Sequence, residues 1–349
     1  MTEPPSAPRG EVVLKILVVA PSWIGDTVLA QPLLSRLAEL HPDVDIDVLA
    51  AAWSAPLLAR MPEVRRVVES PFRHGELNMA GRWRLGRRLA REEYDEAIVL
   101  PNTWKSALVP FFAGIPKRTG YRGEGRHGLI NRMHRLDKER HPRLADRYAQ
   151  LAEPPGADHP KVRRPHLTSS PEHRRRVREK LGLAGDYPPV VFCPGAEYGP
   201  AKRWPARHFA ILASALGSPA DPVWLVGSEK DAPIAARVAE ASRGAAINLC
   251  GRTSLEEAID LLAQARCVVC NDSGLMHVAA ALDRPLVAVF GSSSPNYTPP
   301  MSPQAKVVSL HLECSPCFMR ECPEGHLRCL NDLTPERVMT DLRQMGVIP

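Results

Sequence analysis

The chain has 349 residues, of which 44% are hydrophobic and 24% are charged. These proportions exclude a disordered or fibrous protein and are sufficient for two ordinary domains with separate cores. No apolar run approaches the roughly 18 residues that cross a bilayer, and the polar residues 1–10 carry no secretory signal. We therefore predict a cytoplasmic protein whose residues 1–10 are a disordered tail.

The net charge of +6 is spread unevenly along the chain. Residues 116–180 hold 18 Lys or Arg and eight Asp or Glu, and residues 60–91 form a second arginine-rich stretch. Such regions suit an anionic partner, such as a phosphorylated lipid surface or a nucleic acid, although solvated helix faces give the same pattern. Aromatic residues are only 5% of the chain and do not alternate with basic ones, which argues against nucleic acid.

Apolar runs alternate with amphipathic segments through the first half of the chain. Residues 12–20 form a nearly continuous apolar run, typical of a parallel strand buried on both faces, and residues 26–40 follow with helical spacing. The other predicted strands are residues 46–50, 64–68 and 94–100, and the other predicted helices are residues 76–92 and 106–112.

The same alternation begins again after a polar segment at residues 163–170. The predicted helices are residues 171–181, 205–216, 232–242, 255–263, 274–282 and 335–345, and the predicted strands are residues 189–193, 223–226, 267–270 and 286–290. We therefore predict an α/β protein with two doubly wound domains, residues 11–168 and 169–349. Ligands of such domains bind outside the carboxyl ends of the strands, so the loops that follow strands are the candidate sites.

The first such loop is PSWIGD, residues 21–26. Gly25 allows a tight turn, and Asp26 falls in the first helical turn, where backbone N–H groups and the helix dipole favour an ionised carboxylate. Asp26 is either a plain helix cap or a general base in a crevice between the domains.

Two further loops follow strands in the second half. PGAEYGPAKRWP, residues 194–205, combines backbone donors with Lys202 and Arg203, which suits a phosphate. Neither of these two loops contains a Walker or a G-x-G-x-x-G pattern, so neither gives motif support to an NTPase or a nicotinamide-dependent dehydrogenase. VGSEKD, residues 226–231, is a weaker candidate: an acidic residue there can accept ribose hydroxyls, but helix capping explains the loop equally well.

The fourth loop is CNDSGLMH, residues 270–277. Asp272 and Ser273 stand at a predicted helix N-terminus, Gly274 lets a ligand approach the backbone, and His277 lies one turn later on the same face. A capped ordinary helix is the alternative to an anion site. Convergence with the loop at residues 194–205 on one crevice favours the anion site.

Three segments, PSWIGD, PGAEYGPAKRWP and NDSGLMHVAAAL (residues 271–282), resemble glycosyltransferase family 9, the lipopolysaccharide heptosyltransferases. The resemblance covers nearly the whole chain. It implies a GT-B fold, in which two Rossmann-like domains face each other across a cleft. It also implies an ADP-heptose donor held mainly by the C-terminal domain. The implied acceptor is the lipid A-linked inner core, heptosyl-Kdo2-lipid A, held mainly by the N-terminal domain.

The same resemblance assigns roles to individual residues. Asp26 matches the family's proposed catalytic base, which takes a proton from the acceptor hydroxyl in an inverting displacement. The implied donor-binding residues are Gly195, Lys202, Glu229, Asp272, Ser273, Gly274 and His277. Cationic and dipolar groups stabilise the departing ADP, so neither a cofactor nor a metal ion is expected.

An anionic acceptor would explain the concentration of positive charge at residues 60–91 and 116–180. The candidate acceptor-binding residues are Arg65, Arg66, Lys105, Arg118 and Arg122. They would also keep the enzyme at the inner leaflet of the membrane, as a monomer with peripheral contact. The alternatives are a heptosyltransferase of different acceptor specificity, a nucleotide-sugar epimerase, and a non-catalytic nucleotide-binding or membrane-surface scaffold, which would not need Asp26.

The C-terminal part contains a cluster of cysteines, Cys314, Cys317, Cys322 and Cys329, with His311 and His326 nearby. This spacing is typical of a zinc site. The resembling family carries such a tail without a metal, which favours structural thiols or an adventitious disulfide. The final helix, residues 335–345, is expected to pack back across the domain junction, as in other GT-B proteins.

Overall fold

The computed structural model describes residues 13–73, 75–183 and 187–348. They form two six-stranded sheets in which all neighbouring strands are parallel. The predicted tail at residues 1–10 lies outside the described part. Among the described residues, no helix combines the length and apolar character that crossing a bilayer requires.

The first sheet and its helices occupy the first half of the chain. In chain order the elements are β1 (Lys15–Val19), α1 (Ile24–Leu29), α2 (Gln31–Leu40), β2 (Asp45–Ala51), α3 (Ala55–Leu58), β3 (Arg66–Ser70), α4 (Met79–Leu89), β4 (Glu96–Val99), α5 (Leu108–Phe112), β5 (Lys117–Tyr121), β6 (Arg132–His134) and α6 (Leu144–Ala149). The helix predicted over residues 26–40 is divided in two. Pro32, in the first turn of α2, has no N–H with which to continue α1.

The second sheet and its helices occupy the second half. In chain order the elements are α7 (Pro171–Leu181), β7 (Val190–Cys193), α8 (Ala206–Leu216), β8 (Val223–Leu225), α9 (Ala232–Ala241), β9 (Ala246–Asn248), α10 (Leu255–Leu262), β10 (Cys267–Asn271), α11 (Gly274–Ala281), β11 (Leu286–Val289), β12 (Ala305–Val308), α12 (Arg328–Asn331) and α13 (Pro335–Gln344). The predicted domain boundary at residues 168–169 lies in the irregular segment between α6 and α7.

Both sheets have the same topology. The first has the order β3-β2-β1-β4-β5-β6, and the second has the order β12-β11-β10-β7-β8-β9, which is the same arrangement seen from its other edge. This is the Rossmann order, and it confirms the predicted α/β fold of two Rossmann-like domains. In each sheet the order in which successive strands are added changes direction once, between β1 and β4 in the first sheet and between β7 and β10 in the second. Ligands of such sheets bind at these switch points.

Four strands that the sequence did not indicate complete the sheets: β5, β6, β9 and β12. β6, β9 and β12 stand at sheet edges, and β5 begins with exposed or half-exposed charged residues. Strands β1, β4, β7, β10 and β11 are buried almost throughout. Full burial gives a strand the continuous apolar pattern that makes it recognisable, and partial exposure removes that pattern.

The final helix does not cross the domain junction, so that prediction is wrong. α13 packs on α8 and β11, and its buried Val338 and Leu342 belong to a cluster built only from second-half residues. The junction is held elsewhere. The buried Arg60 donates to the carboxylate of Asp260 at 2.9 Å, and α1 packs against α11.

Candidate active site

Helix α1, which follows β1, and helix α11, which follows β10, pack directly against each other. A Cβ atom placed on Gly25 would lie 2.7 Å from Cδ2 of His277, and one on Gly274 would lie 2.8 Å from Cβ of Ile24. These two glycines therefore permit α1 and α11 to approach closely. The contact brings Asp26 of the first domain to the loop that follows β10 in the second domain.

Asp26 lies in the first turn of α1 without capping it; the N-cap residue is Trp23. Burial raises the pKa of Asp26 from 3.8 to about 6, the Lys202 cation lowers it, and the Asp272 carboxylate raises it. The predicted effect of the helix terminus is therefore outweighed, because desolvation disfavours the charged carboxylate. A carboxylate with a pKa near 6 is mostly ionised at neutral pH and is a stronger base than an ordinary aspartate.

A cation and two polar side chains meet on the second-domain side of the crevice. Nζ of Lys202 lies 2.5 Å from Oδ2 of Asp272, and the hydroxyl of Ser293 donates to the same carboxylate oxygen. The side-chain amide of Asn271, at the end of β10, accepts from the backbone N–H of Trp204 at 2.9 Å and donates to the Pro194 carbonyl at 2.8 Å. The loop that carries Lys202 is thus fixed to the end of β10.

Ser273 is the N-cap residue of α11, but its hydroxyl makes no capping hydrogen bond. His277 is buried, and burial lowers its pKa to about 4, so the ring is neutral at physiological pH. Nδ1 of His277 has no hydrogen-bond partner among the described residues. The Ser273 hydroxyl is therefore not used to cap α11, and the neutral ring of His277 is packed against Gly25 of α1.

The other predicted donor-binding residues lie in the neighbouring loops. Gly195 follows β7 and packs against the Asp231 carboxylate so closely that a Cβ atom would collide with it. Glu229 follows β8 and is exposed, with Gly251 packed against its backbone. Asp231 and Ser228 form a capping box, so capping accounts for these two residues and leaves Glu229 available to a ligand.

The five predicted acceptor-binding cations do not come together. Lys105 follows β4 and donates to the Gly75 carbonyl at 2.9 Å, and the exposed Arg122 directly follows β5. Both therefore stand at the carboxyl edge of the first sheet. Arg118, in the first half of β5, donates to the carbonyls of Leu129 and Ile115 instead.

Arg65 and Arg66 lie at the opposite edge of the sheet, where β3 begins. Both donate to the buried carboxylate of Asp47 at 2.8 Å, and Tyr94 donates to the same carboxylate at 2.6 Å. Residues that precede a parallel strand stand at the edge away from the ligand crevice. The structure therefore corrects the sequence-based grouping: Arg65, Arg66 and Arg118 are occupied by protein partners outside the crevice.

Two tyrosines near Asp26 were not predicted. The charge of Asp26 contributes to raising the pKa of both Tyr148, in α6, and Tyr297, in the loop after β11, although burial is the largest cause in each case. The N–H of Leu144 donates to the Tyr297 carbonyl at 2.9 Å, which joins the two segments. α6 has no clear apolar period in the sequence, and only its proximity to Asp26 marks these residues.

The cysteine-rich segment lies beside the loop that carries Lys202. Cys314, Cys317, Cys322 and Cys329 line one small cavity with His326, and all four are free thiols. The Ala201 N–H donates to the Arg320 carbonyl at 3.0 Å, and the Tyr198 hydroxyl donates to the Phe318 carbonyl at 2.6 Å. In the part of the chain that the structure describes, no three His, Cys, Asp or Glu side chains are arranged to hold a metal ion.

Two Rossmann-like domains, with a carboxylate from one facing a cation and a helix N-terminus from the other, are typical of glycosyltransferases of the GT-B class. The chain matches the family described as Glycosyltransferase family 9 (heptosyltransferase) over residues 82–328. With the full-length relatives below, this match shows that the chain belongs to glycosyltransferase family 9. It is therefore a glycosyltransferase.

The relatives span almost the whole chain. Lipopolysaccharide heptosyltransferase 2 of Escherichia coli K12 is 45% identical over 342 residues, which cover 95% of this chain and 98% of the relative. Lipooligosaccharide heptosyltransferase 2 of Haemophilus influenzae is 43% identical, with coverages of 95% and 99%. The solved structure of E. coli ADP-heptose LPS heptosyltransferase II has a TM-score of 0.84 and 42% identity, and covers 95% of this chain and 98% of that chain.

Proposed function

We propose that this protein transfers L-glycero-D-manno-heptose from ADP-heptose to the first heptose of heptosyl-Kdo2-lipid A, with inversion at the anomeric carbon. The observation that carries the proposal is the proximity of Asp26 to the Lys202–Asp272 ion pair. Asp26 lies at the switch point of the first domain, and the ion pair lies at the switch point of the second. The names of the full-length relatives, heptosyltransferase 2, support this choice of donor and acceptor.

In the proposed reaction, Asp26 removes the proton of the acceptor heptose hydroxyl while that oxygen attacks the anomeric carbon. The bond from the anomeric carbon to the phosphate oxygen breaks, and its electron pair leaves with ADP. Lys202, the Ser273 hydroxyl and the N-terminus of α11 stabilise the charge that develops on ADP. These groups supply the electrophilic assistance at the leaving group, so we propose a reaction without a metal ion or another cofactor.

The remaining donor contacts follow from the loops. Gly195 places its backbone in the donor loop, where the absence of a side chain leaves room for the Asp231 carboxylate, and the exposed Glu229 accepts hydroxyl groups of the ribose. Asp272, whose carboxylate also accepts from the Ser293 hydroxyl, holds the Lys202 ammonium until a phosphate competes for it. Gly274 and the neutral His277 complete the surface against which the donor lies.

We propose that Lys105 and Arg122, which stand at the crevice edge of the first sheet, bind the anionic groups of the acceptor. Arg65 and Arg66 are left out of this set because they stand at the opposite edge of the sheet, and Arg118 is left out because it lies in the first half of β5, away from the carboxyl edge. The acceptor is lipid-linked, so we place the protein in the cytoplasm, as a monomer in peripheral contact with the inner membrane.

The test is the release of ADP from ADP-heptose by purified protein, with three acceptor conditions. Release that requires heptosyl-Kdo2-lipid A supports the proposal. Release with Kdo2-lipid A that lacks heptose, or only with a longer core, would show a different acceptor specificity. Tight binding of ADP-heptose without transfer to any acceptor, unaffected by Asp26→Asn, would show a nucleotide-binding scaffold instead of an enzyme.

A further inference from the structure

The tryptophans of this protein are distributed asymmetrically between the two domains. The chain has six. Trp204 and Trp224 of the second domain are buried, whereas the four of the first domain are 38–54% exposed: Trp23, Trp53, Trp83 and Trp104. Exposing a large aromatic side chain to water is unfavourable, so a cluster of such residues marks an interaction surface.

Three of these tryptophans share one edge of the first sheet with two other exposed apolar residues. Trp53 follows β2, Trp104 follows β4, Leu77 lies between β3 and α4, and Met79 and Trp83 lie in the first turns of α4, so all five stand near the carboxyl edge of the sheet. We call this surface the tryptophan edge and define it as Trp53, Leu77, Met79, Trp83 and Trp104.

Arg82 joins the separate segments of the tryptophan edge. Its guanidinium group donates to the Leu77 carbonyl at 2.5 Å and to the Lys105 carbonyl at 3.1 Å. The Lys105 ammonium in turn donates to the Gly75 carbonyl at 2.9 Å. The segments around residues 77 and 104 are therefore held next to each other by two partly buried hydrogen bonds and one exposed one.

The exposed side of α4 beside the tryptophan edge is positive, and the carboxylates of Glu76 and Glu124 in the adjoining loops accept hydrogen bonds from the protein itself. Arg84, Arg87 and Arg88 are exposed on α4 and have no ion-pair partner within the described ranges. α4 contains no acidic residue. Tryptophans together with unpaired arginines suit the interface of an anionic bilayer: the indole ring sits at headgroup depth, and the guanidinium groups meet lipid phosphates.

We propose that the tryptophan edge and the arginine face of α4 dock the first domain onto an anionic lipid bilayer. This edge is also where Lys105 and Arg122 stand, so docking turns the proposed acceptor-binding side of the crevice toward the membrane. The inference deepens the proposed function by naming the contact surface. Only the reason for docking rests on that function; the docking itself rests on exposure and charge.

The test uses the full-length protein and vesicles that contain no acceptor. Phosphatidylcholine vesicles with and without phosphatidylglycerol are sedimented with the protein. One variant combines Trp53→Ser, Met79→Ser and Trp83→Ser, and a second combines Arg84→Gln, Arg87→Gln and Arg88→Gln. The control is Ile211→Ser, which changes a side chain of the second domain that is 50% exposed.

We expect the unmodified protein and the control to bind only the anionic vesicles, and each triple variant to bind them at least about tenfold more weakly. Both triple variants should keep their activity on a deacylated, water-soluble acceptor and lose it on a vesicle-borne one, whereas the Ile211→Ser control should keep both activities. Lack of binding by the unmodified protein, or equal losses in the Ile211→Ser control, would overturn the proposal.

Two further outcomes separate the possible explanations. If the tryptophan variant converts a dimer into a monomer in sedimentation experiments and vesicle binding is unchanged, the edge is a contact between two copies, and the bilayer proposal is wrong. If vesicle binding follows the expected pattern but no acceptor is glycosylated, docking stands and the proposed function fails. Binding and transfer are therefore tested separately.

Discussion

Replacement of Asp26 by asparagine tests the central assignment, because the substitution keeps the shape of the side chain and removes its ability to accept a proton. General base catalysis contributes typically 10²–10⁴-fold to a rate. We therefore expect Asp26→Asn to lower kcat by about that factor, which corresponds to roughly 3–5 kcal/mol of transition-state stabilisation. ADP-heptose affinity should stay within about twofold, since the base acts on the acceptor hydroxyl.

The same substitution should stabilise the folded protein. The rise of the Asp26 pKa from 3.8 to about 6 corresponds to about 3 kcal/mol, which solvent screening at this partly exposed side chain reduces to about 2 kcal/mol. The folded state binds the proton more tightly than the unfolded state, so this cost is absent below about pH 4. It develops between about pH 4 and 6 and is complete at pH 7. Asparagine carries no such cost.

Two assays together check this prediction. Steady-state ADP release gives kcat, and urea unfolding at pH 7 and pH 4 gives the stability difference. We expect an inactive variant that is more stable than the parent at pH 7 and equally stable at pH 4. Near-normal turnover would remove Asp26 as the base. Loss of activity together with a lower stability at pH 7 would show that the residue supports the fold instead.

Three other predictions follow from the site. Lys202→Ala should weaken ADP-heptose binding and lower kcat together, and should move the acid limb of the pH–rate profile to higher pH, because Lys202 lowers the pKa of Asp26; unchanged donor affinity would place Lys202 outside the site. Arg122→Glu should raise the acceptor KM and make it depend more steeply on salt, without changing donor binding. Arg118→Glu should mainly lower thermal stability, because the glutamate cannot donate to the Leu129 and Ile115 carbonyls. A weaker donor affinity for Arg122→Glu would assign Arg122 to the donor site instead. Exhaustive chelation should change neither the melting temperature nor most of the turnover, and elemental analysis of untagged protein should find no stoichiometric metal; near-equimolar zinc or iron would reverse the assignment of the four C-terminal cysteines as thiols.

The fold was predictable from sequence where strands are buried on both faces. β1, β7 and β10 are apolar runs followed by a glycine-containing loop and a helix, so both their presence and the location of the ligand loops could be predicted. β5 and β12 could not, because their charged side chains project to solvent and remove the apolar pattern. The final helix was misplaced because its packing was expected from other GT-B proteins, and its own amphipathic period does not say which domain its apolar face covers.

The site was predictable as a set of loops but not as a set of contacts. Asp26, Lys202 and Asp272 each follow a buried strand, which is why the sequence indicates them. Their mutual electrostatics depend on three-dimensional distance, and so does the proximity of Tyr148 and Tyr297 to Asp26. Arg66 shows the opposite error: positive charge alone suggested an acceptor contact, although its place at the start of β3 already indicated the wrong edge.

The coupling of these charges has a consequence for the order of events in the crevice. In the resting protein the Lys202 cation lowers the pKa of Asp26 by more than the Asp272 carboxylate raises it. A bound diphosphate brings more negative charge and draws on the same ammonium group, so the pKa of Asp26 should rise further and its carboxylate should become a stronger base. The acid limb of kcat should then lie at higher pH than the acid limb of kcat/KM for ADP-heptose, because the first reports the complex and the second reports the free enzyme. Identical limbs would mean that donor phosphate and Asp26 do not sense each other, and the base would have to be sought elsewhere in the crevice.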